Sequence, residues 1–491
     1  MNFMLWILKV IWNCKAHIWF LGYKNRMRYN ASITPSRCKT LDVIVVVVDH
    51  FEPARSEGKA GVQKVDDWCA RYKELASEHE DSDGRVPQHT WFYRYDYPNF
   101  EIINILSRYV HEGFGEIEFH LHHGHDTEAT FRARIREGVE WFKGVGAMIT
   151  AEESPKRMFG YIAGNWALDN GRKDVRFSGV NTEISILSEL GCYADFTFPA
   201  IGTVAQARKV NAIYYATDTP RPKSYDTGTD VEVGREPSGD LMIVQGPVYV
   251  DWRATHVETA AIEDFARFWP QRIDYWEKAQ VHVLGRPEWI FMKLHTHGMQ
   301  SRDTFLGDNF HSLFTSLENR FKETPYRLHY VTAREAYNII KAAEAGKEGN
   351  AGDYRNFLIK EPANRKIICN RPFQLNRYTD KQVDCNLMAS GANTMVHFSE
   401  TPIKLIRGDD VRRIRMEYCR EDIHYLEILG GGSADIRFRD ETENQKLQRE
   451  IELPFICGQP ESMAAGSIYR SELTGSCVDR AVSKNEIHST L

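Results

Sequence analysis

The segment Leu41–Val48 constrains the fold more than any other, because it ends in a continuous run of six β-branched apolar residues, Val43–Val48. A run of this kind is typical of a parallel strand that is buried on both faces. After it, short apolar runs alternate with helical periodicity as far as a strand over Arg327–Val331. A helix over Ala333–Ala345 follows, opened by the capping-box pattern Thr332-Ala-Arg-Glu335. Repeated βα units predict an α/β fold around a parallel sheet, either closed or open.

The segment Gly346–Asp353 is rich in glycine and charge and is the clearest domain boundary in the chain. Helical periodicity stops after it, and short apolar runs are separated by Gly, Pro and Asp. This pattern predicts a small all-β, sandwich-like domain over residues 354–466, appended to a first domain over residues 41–346. Residues 467–491 are polar, and we expect a loose tail there. The expected strands of the second domain are Arg365–Cys369, Thr394–Phe398, Ile403–Arg407, Val411–Tyr418, His424–Ile428 and Ala434–Phe438.

Residues 1–40 form an amphipathic segment ahead of the first strand. Polar residues such as Lys9, Asn13 and Lys15 interrupt its apolar residues, so it lacks the roughly 20 apolar residues of a transmembrane helix. No small-residue cleavage pattern of a signal peptide follows it. Two interpretations stay open. Residues 1–28 could lie on an anionic membrane as an interfacial helix, or they could dock on the protein itself or on a second subunit.

Composition excludes some partners. Lys and Arg total 62 against 68 Asp and Glu, so the chain has a net charge of -6 and offers no basic footprint for nucleic acid. The nine cysteines include no C-x-x-C pair, which indicates a reducing compartment without a disulfide framework. We therefore expect a cytoplasmic protein, with membrane association dependent on the N-terminal segment.

The stretch Glu116–Asp126 holds four of the eighteen histidines. Side chains alternate along a strand, so His120 and His122 share a face while His123 points to the other. His125 lies beyond Gly124, where the strand should become a loop. Paired imidazoles at a strand end beside a carboxylate are typical of a divalent-metal site, the alternative being a solvated or core histidine cluster.

Similar polar groups follow four other expected strands. Any one of them is compatible with a structural role, but sites in parallel α/β proteins assemble where strands end at their carboxyl side. Taken together, these strand ends predict one site. In chain order they are Asp49-His50-Phe51-Glu52, then His120 to His125, then Asn165-Trp166, then Asp195, and last His295-Thr296-His297.

In this order the motifs resemble those of the polysaccharide deacetylases of carbohydrate esterase family four. The family's motifs run Asp-Asp, His-x-x-x-His, an Arg/Pro/aromatic motif, an Asp motif and Leu-x-His. The resemblance spans about Leu41 to Gly346. It implies a distorted (β/α)7 barrel with a divalent metal at its carboxyl-end rim, zinc being the first expectation and Co, Ni or Mn the alternatives.

The resemblance also implies roles for individual residues. Asp49 matches the catalytic base, and His50 stands where the family has a metal-binding Asp. His120 matches the first metal histidine, and His122 or His125 the second. His295 or His297 matches the late general acid, with Asp195 tuning it. Asn165 and Trp166 stand in the substrate-binding motif.

Three departures from the family pattern leave the exact roles open. Asp-His replaces Asp-Asp at position 49, neither His122 nor His125 gives the His-x-x-x-His spacing from His120, and the usual Arg is absent beside Trp166. The implied function is a metal-dependent deacetylase that removes N- or O-acetyl groups from a poly- or oligosaccharide such as an exopolysaccharide. The alternatives are another metal-dependent C–N hydrolase on the same barrel and a catalytically inactive carbohydrate-binding relative.

Overall fold

The computed structural model describes residues 12–33, 40–53, 58–144, 159–264, 266–298, 305–322 and 325–360, together with short strands beyond them. The chain divides into two compact units, Met1–Asn364 and Arg365–Leu491. In the described part of the first unit the helices are α1 (Ala16–Ser32), α2 (Gly58–Ala76), α3 (Phe100–His111), α4 (Glu128–Gly144), α5 (Glu183–Glu189), α6 (Arg272–Ala279), α7 (Phe310–Phe321) and α8 (Ala333–Glu344).

The first unit contains twelve strands among its described residues. They are β1 (Leu41–Phe51), β2 (His89–Arg94), β3 (Gly115–Leu121), β4 (Phe159–Ala163), β5 (Cys192–Asp195), β6 (Ile213–Ala216), β7 (Thr229–Asp230), β8 (Leu241–Val244), β9 (Tyr249–Asp251), β10 (His256–Glu258), β11 (Trp289–His297) and β12 (Tyr326–Val331). Strands and helices alternate through most of the unit, as the sequence periodicity predicts.

Ten of these strands form one sheet in the order β11-β1-β2-β3-β4-β5-β8-β6-β7, with β12 also paired to β1. Pairing is parallel except where β6 meets β8 and β7. An α/β fold on a mostly parallel sheet is therefore confirmed. Among the described residues the pairing path stays open, so closure into a seven-stranded barrel stays a prediction.

The two faces of β1 have different surroundings, and this difference positions the site. Ile44, Val46 and Val48 share a buried apolar cluster with the sheet's inner side chains, among them Phe92 and Phe291. Because side chains alternate along a strand, His50 continues this inner face. Asp49 lies on the other face, and its carboxylate is 2.8 Å from His89 Nε2.

The segment after α8 belongs to the first unit. The predicted capping box is present, because Thr332 accepts from the Glu335 amide and Glu335 accepts from the Thr332 amide. Further along, Asn338 of α8 donates to the carbonyl oxygens of Arg355 and Ile359. The Gly-rich break predicted at Gly346–Asp353 therefore lies inside the first unit, and the division falls after Asn364.

Helix α1 packs on the protein through one side. Trp19 and Tyr23 are buried in a cluster with Val210, Val248 and Val250. Asn30 donates to the Ala279 carbonyl at the end of α6, which fixes the far end of the helix. The sequence left open whether this segment lies on a membrane or docks on protein. The described residues of α1 dock on the protein. Along the described stretches, each helix falls short of the length and apolarity needed to cross a membrane.

The second unit is described by strands alone. They are β13 (Met395–Val396), β14 (Ile403–Arg407), β15 (Arg413–Cys419), β16 (Asp422–Leu429), β17 (Gly432–Phe438) and β18 (Ile451–Leu453). They pair as two three-stranded sheets, β13-β15-β16 and β14-β17-β18. Five of the predicted strand positions coincide with β13 to β17. The predicted strand Arg365–Cys369 and the predicted tail 467–491 lie outside the described residues.

Candidate metal centre

Polar side chains converge at the carboxyl ends of β1, β3 and β11. His50 lies near the end of β1 and Glu52 directly after it, while His120 is in β3 and His122 follows it. β11 lies beside β1 in parallel, and the register places His297 opposite His50. Carboxyl ends of parallel strands meet at one edge of a sheet, which is where α/β proteins build their sites.

The closest approach in this cluster is made around Glu52. Its Oε1 lies 3.1 Å from His120 Nε2 and 3.3 Å from His122 Nε2. One ligand atom from each of His50, Glu52 and His120 falls within 4.8 Å of the others. Two imidazoles and a carboxylate thus point their donor atoms at one small volume.

The surroundings of His50 and His120 favour the neutral form of both rings. His120 Nδ1 lies 2.8 Å from the Ile162 carbonyl oxygen and donates to it, so Nε2 carries the free lone pair. Burial lowers the pKa of His120. Burial and then the neighbouring His297 and His120 hold the pKa of His50 well below its usual range. Both rings are therefore neutral near pH 7, which is the form that binds a metal.

His50 supplies the observation that tests the fit of a metal. Its Nε2 is buried and has no hydrogen-bond partner among the described residues. A buried polar atom without a partner is unfavourable, so such atoms in native structures call for an explanation. In a tetrahedral site with ligand bonds of about 2.0–2.2 Å, ligand atoms lie roughly 3.3–3.6 Å apart. The separations around Glu52 are close to these values, and His/His/carboxylate is an ordinary donor set for zinc.

The charged forms of Glu52 and His122 are favoured in this arrangement. Burial by itself would raise the pKa of Glu52, but the imidazoles of His120 and His122 close to its carboxylate outweigh burial and hold the pKa well below its usual range. Burial likewise opposes protonation of His122, yet bonds to Asp96 and Glu52 raise its pKa. Asp96 also accepts from the His122 amide and pairs with Arg94. His122 is thus held in place beside the other three donors.

A fourth histidine, His297, borders the cluster and is paired with a carboxylate of its own. His297 Nδ1 lies 2.6 Å from Glu263 Oε1. Burial would lower the pKa of His297, but the bond to Glu263 raises it. The His297 ring stacks on the His50 ring, with centroids 4.5 Å apart. The Trp166 ring contacts both, with its centroid 5.4 Å from that of His297 and 6.0 Å from that of His50. This pair can hold and move a proton next to the cluster.

Deeper on the same face lie a carboxylate and an amine that share a buried environment. Asp195 accepts from the amide and the hydroxyl of Thr197. Burial raises the pKa of Asp195, and burial lowers the pKa of Lys293. His295, two residues further along β11, is also buried, and burial together with the Lys293 charge holds its pKa well below its usual range.

The structure brings most of the sequence-predicted residues together. His50, His120, His122, His297 and Trp166 border one site, with His295 and Asp195 buried beneath it. Asn165, half-buried, adjoins Trp166, and both have positive φ. Two residues are placed elsewhere. His125 is exposed in the loop after β3, and Asp49 faces α2, whose Trp68 ring contacts its partner His89.

Sequence reasoning assigned no role to three residues that contact the site, namely Glu52, Glu263 and Asp96, although it named Glu52 at its strand end. The sequence carries a signal for the role of Glu52, because Glu52 follows His50 by two positions and so continues the same face of the strand. Glu263 gives no such signal. It lies in an irregular segment that reaches the site because Ala261 forms a parallel bridge to His295.

Comparison with known proteins gives structural likeness alone. No protein-family model matches the chain, and the search of curated proteins found no match. Among solved structures, the chain is similar to one from Mycobacterium smegmatis described as a "putative polysaccharide deacetylase". The two share 14% sequence identity with a TM-score of 0.34, over 65% of this chain and 95% of that one. Neither activity nor substrate follows from a match of this kind.

Proposed function

We propose that the chain is a metal-dependent hydrolase that removes N- or O-acetyl groups from a poly- or oligosaccharide. The observation that carries this proposal is the convergence of His120 and His122 on Glu52, beside the unpartnered Nε2 of His50 and the His297–Glu263 pair. Hydrolysis of an unactivated acyl group needs an electrophile, an activated water and a proton donor. This edge of the sheet offers residues for each.

His50, Glu52 and His120 would hold the divalent ion, and His122, beside Glu52, would join them only after losing the proton that its bonds to Asp96 and Glu52 favour. Zinc suits the donor set best, and Co, Ni or Mn are the alternatives. When bound, such an ion polarises the acyl carbonyl and lowers the pKa of a bound water to about 7.

His297 is the proposed general acid. Glu263 accepts from its Nδ1, which orients the ring and favours the imidazolium form. The ring's Nε2 is then free to deliver a proton to the leaving amine or alcohol. His295 is less suited to this task, because its buried ring has a strongly lowered pKa. Trp166 contacts His297 and His50 and would stack against a sugar ring at the mouth of the site.

A second candidate is another metal-dependent C–N hydrolase on the same scaffold. The observation that favours it is the position of Asp49, the base implied by the family resemblance. Its carboxylate lies on the opposite face of β1 from His50 and is bonded to His89. A site without that base could serve a different substrate, such as a cyclic amide.

The test uses full-length protein without a histidine tag, analysed for bound metal and for acetate released from a panel of N- and O-acetylated oligosaccharides. His120→Asn should lose the metal and at least about 10³-fold of the rate. His125→Asn is the matched control, because His125 is exposed and outside the cluster, and asparagine tolerates its positive φ.

Three results would redirect or reject the proposal. Protein without bound metal rejects the metal centre. Bound metal with hydrolysis of cyclic amides but not of acetylated sugars selects the second candidate. Bound metal with no turnover on either panel, but with saccharide binding, identifies an inactive carbohydrate-binding relative.

A further inference from the structure

The outward side of α1 carries an exposed apolar and basic surface that the proposed function does not use. Leu21 on this side is 72% exposed, and Trp12, just ahead of the helix, is 76% exposed. They are the two most exposed large hydrophobic side chains among the residues that the structure describes. Lys24 and Arg28 are exposed on the same helical side, one and two turns from Leu21.

The opposite side of α1 is fixed to the protein, so this surface has a defined direction. Trp19 and Tyr23 are buried, and Arg26 pairs with Asp230 at 2.8 Å. The helix backbone also packs closely against the backbone at Arg208, since a Cβ added at Gly22 would lie 2.1 Å from the Arg208 carbonyl oxygen. The helix therefore cannot roll to bury Leu21 without losing these contacts.

The hairpin between β9 and β10 extends the surface. Trp252 at its turn is 42% exposed and meets Phe20 of α1 edge-on, with ring centroids 5.7 Å apart. Arg253, next to it, is exposed. The nearest acidic residue along the hairpin is Asp251, whose side chain accepts from the Tyr275 hydroxyl and from the amides of Arg253 and Ala254.

The charge of this part of the chain is unusual for the protein. Residues 1–41 contain seven Lys and Arg and no Asp or Glu. The rest of the chain therefore holds 62 − 7 = 55 basic and 68 acidic residues, a net charge of −13. Positive charge without interspersed carboxylates, combined with exposed Trp and Leu, is the composition of surfaces that lie on anionic membranes.

We propose that the outward side of α1, with Trp12, Leu21, Lys24 and Arg28, docks on an anionic lipid surface. The helix then lies flat, one side on the bilayer and the other on the α/β unit. A second copy of the chain is a poor occupant. A two-fold interface places the same patch against itself, which would bring Lys24 and Arg28 near their own symmetry mates without a compensating carboxylate.

The experiment is co-sedimentation of the full chain with vesicles of phosphatidylcholine alone and with about 30% phosphatidylglycerol. We expect binding to the anionic vesicles only, and release in 1 M NaCl. Lys24→Glu with Arg28→Glu should weaken binding at least about 25-fold, since each basic residue near the surface contributes about fivefold. Leu21→Gln should weaken it about tenfold.

The matched control is Arg136→Glu with Lys360→Glu, an equal charge change at two exposed positions on other elements. It should bind as the unaltered chain does. Equal weakening by both charge-reversed pairs would mean non-specific attraction and would overturn the proposal. So would absence of vesicle binding, or a dimer in solution that Leu21→Gln disperses. Bound-metal content, measured on each variant, reports whether the fold is intact and is independent of the lipid result.

Discussion

Among the residues that the structure describes, two groups of acidic residues and histidine have ligand atoms within 4.8 Å of one another, and the two groups differ in how far the protein itself satisfies them. One group is His50, Glu52 and His120 at the carboxyl ends of the strands. The other is Asp81, Asp83 and His329 near the amino end of β1. Residue types alone would give both groups the same interpretation.

The second group is already neutralised by the protein. The Arg355 guanidinium lies 2.9 Å from Asp81 and 2.8 Å from Asp83. His329 uses both ring nitrogens, at 2.7 Å from Asp42 and 3.1 Å from Asp83. The Arg355 guanidinium therefore supplies the positive charge that a metal ion would otherwise provide. This group therefore stabilises the fold by joining the segment after α8 to the start of the sheet.

The first group keeps its donor atoms available. Arg94 reaches only the outer oxygen of Glu52, at 3.6 Å, and the inner oxygen faces the two imidazoles. His50 Nε2 has no partner among the described residues. The comparison teaches that the saturation of a cluster, more than its composition, separates a binding site from a structural network.

The largest expected effect is on the amino-end group. Arg355→Met would leave Asp81 and Asp83 buried without a counter-charge and should lower the free energy of unfolding by about 3–5 kcal/mol. Urea unfolding at pH 7 measures this, and bound-metal content should not change. A loss under about 1 kcal/mol would mean that Arg355 is dispensable there and that the two groups are alike after all.

The same variant should alter the response to acid. Burial would raise the pKa of Asp83, but Arg355 and His329 hold it well below its usual range. A lowered folded-state pKa gives stability that is present above the unfolded value of about 3.9 and is lost as the pH falls further. Arg355→Met should therefore show a shallower loss of stability below pH 4 than the unaltered chain.

The opposite outcome is expected for Glu52→Gln at the carboxyl-end group. Removing the charged donor should weaken metal binding more than about 100-fold, since changes even in residues that only support metal ligands cost 10–100-fold. The metal-free variant should unfold within about 1 kcal/mol of the metal-free parent, because Glu52 is partly exposed. Competition with a chelator measures the affinity. Unchanged affinity would remove Glu52 from the site.

A smaller effect is expected at the edge of the same group. Glu263→Gln removes the interaction that raises the pKa of His297. His297 should then lose its proton at a lower pH. The alkaline limb of the pH–rate profile should therefore shift to lower pH, and the rate at pH 7 should fall about tenfold. Glu232→Gln, at a partly exposed glutamate paired with Arg235 and outside the site, is the control. If the alkaline limb of the pH–rate profile does not shift, a group other than His297 transfers the proton.

The smallest effect on catalysis is expected at Asp49. The resemblance to the deacetylase family implies that it is the base, whereas its carboxylate is bonded to His89 on the opposite face of β1. We expect Asp49→Asn to keep its metal and a rate within about tenfold of the parent, since a catalytic base contributes about 10²–10⁴-fold. A loss in that larger range would restore Asp49 as the base.

Much of the fold was predictable from local pattern. The apolar run at Leu41 and the periodicity after it are read directly from the chain, because burial requires the same spacing of apolar side chains in every such strand and helix. The capping box at Thr332 was predictable for the same reason, since both of its hydrogen bonds join residues three apart. The strands of the second unit followed from their short apolar runs.

The sequence by itself also determined that histidines would gather at the strand ends, because parallel strands deliver their carboxyl ends to one edge. Only the tertiary structure decided which of them meet. His125 lies in an exposed loop away from this edge, and Glu263 reaches it because Ala261 forms a bridge to His295. Arg355 neutralises the cluster of Asp81 and Asp83. Among the described residues, no cationic side chain contacts the inner oxygen of Glu52 except the imidazoles. These outcomes depend on contacts between residues far apart in the chain, and no local spacing encodes them.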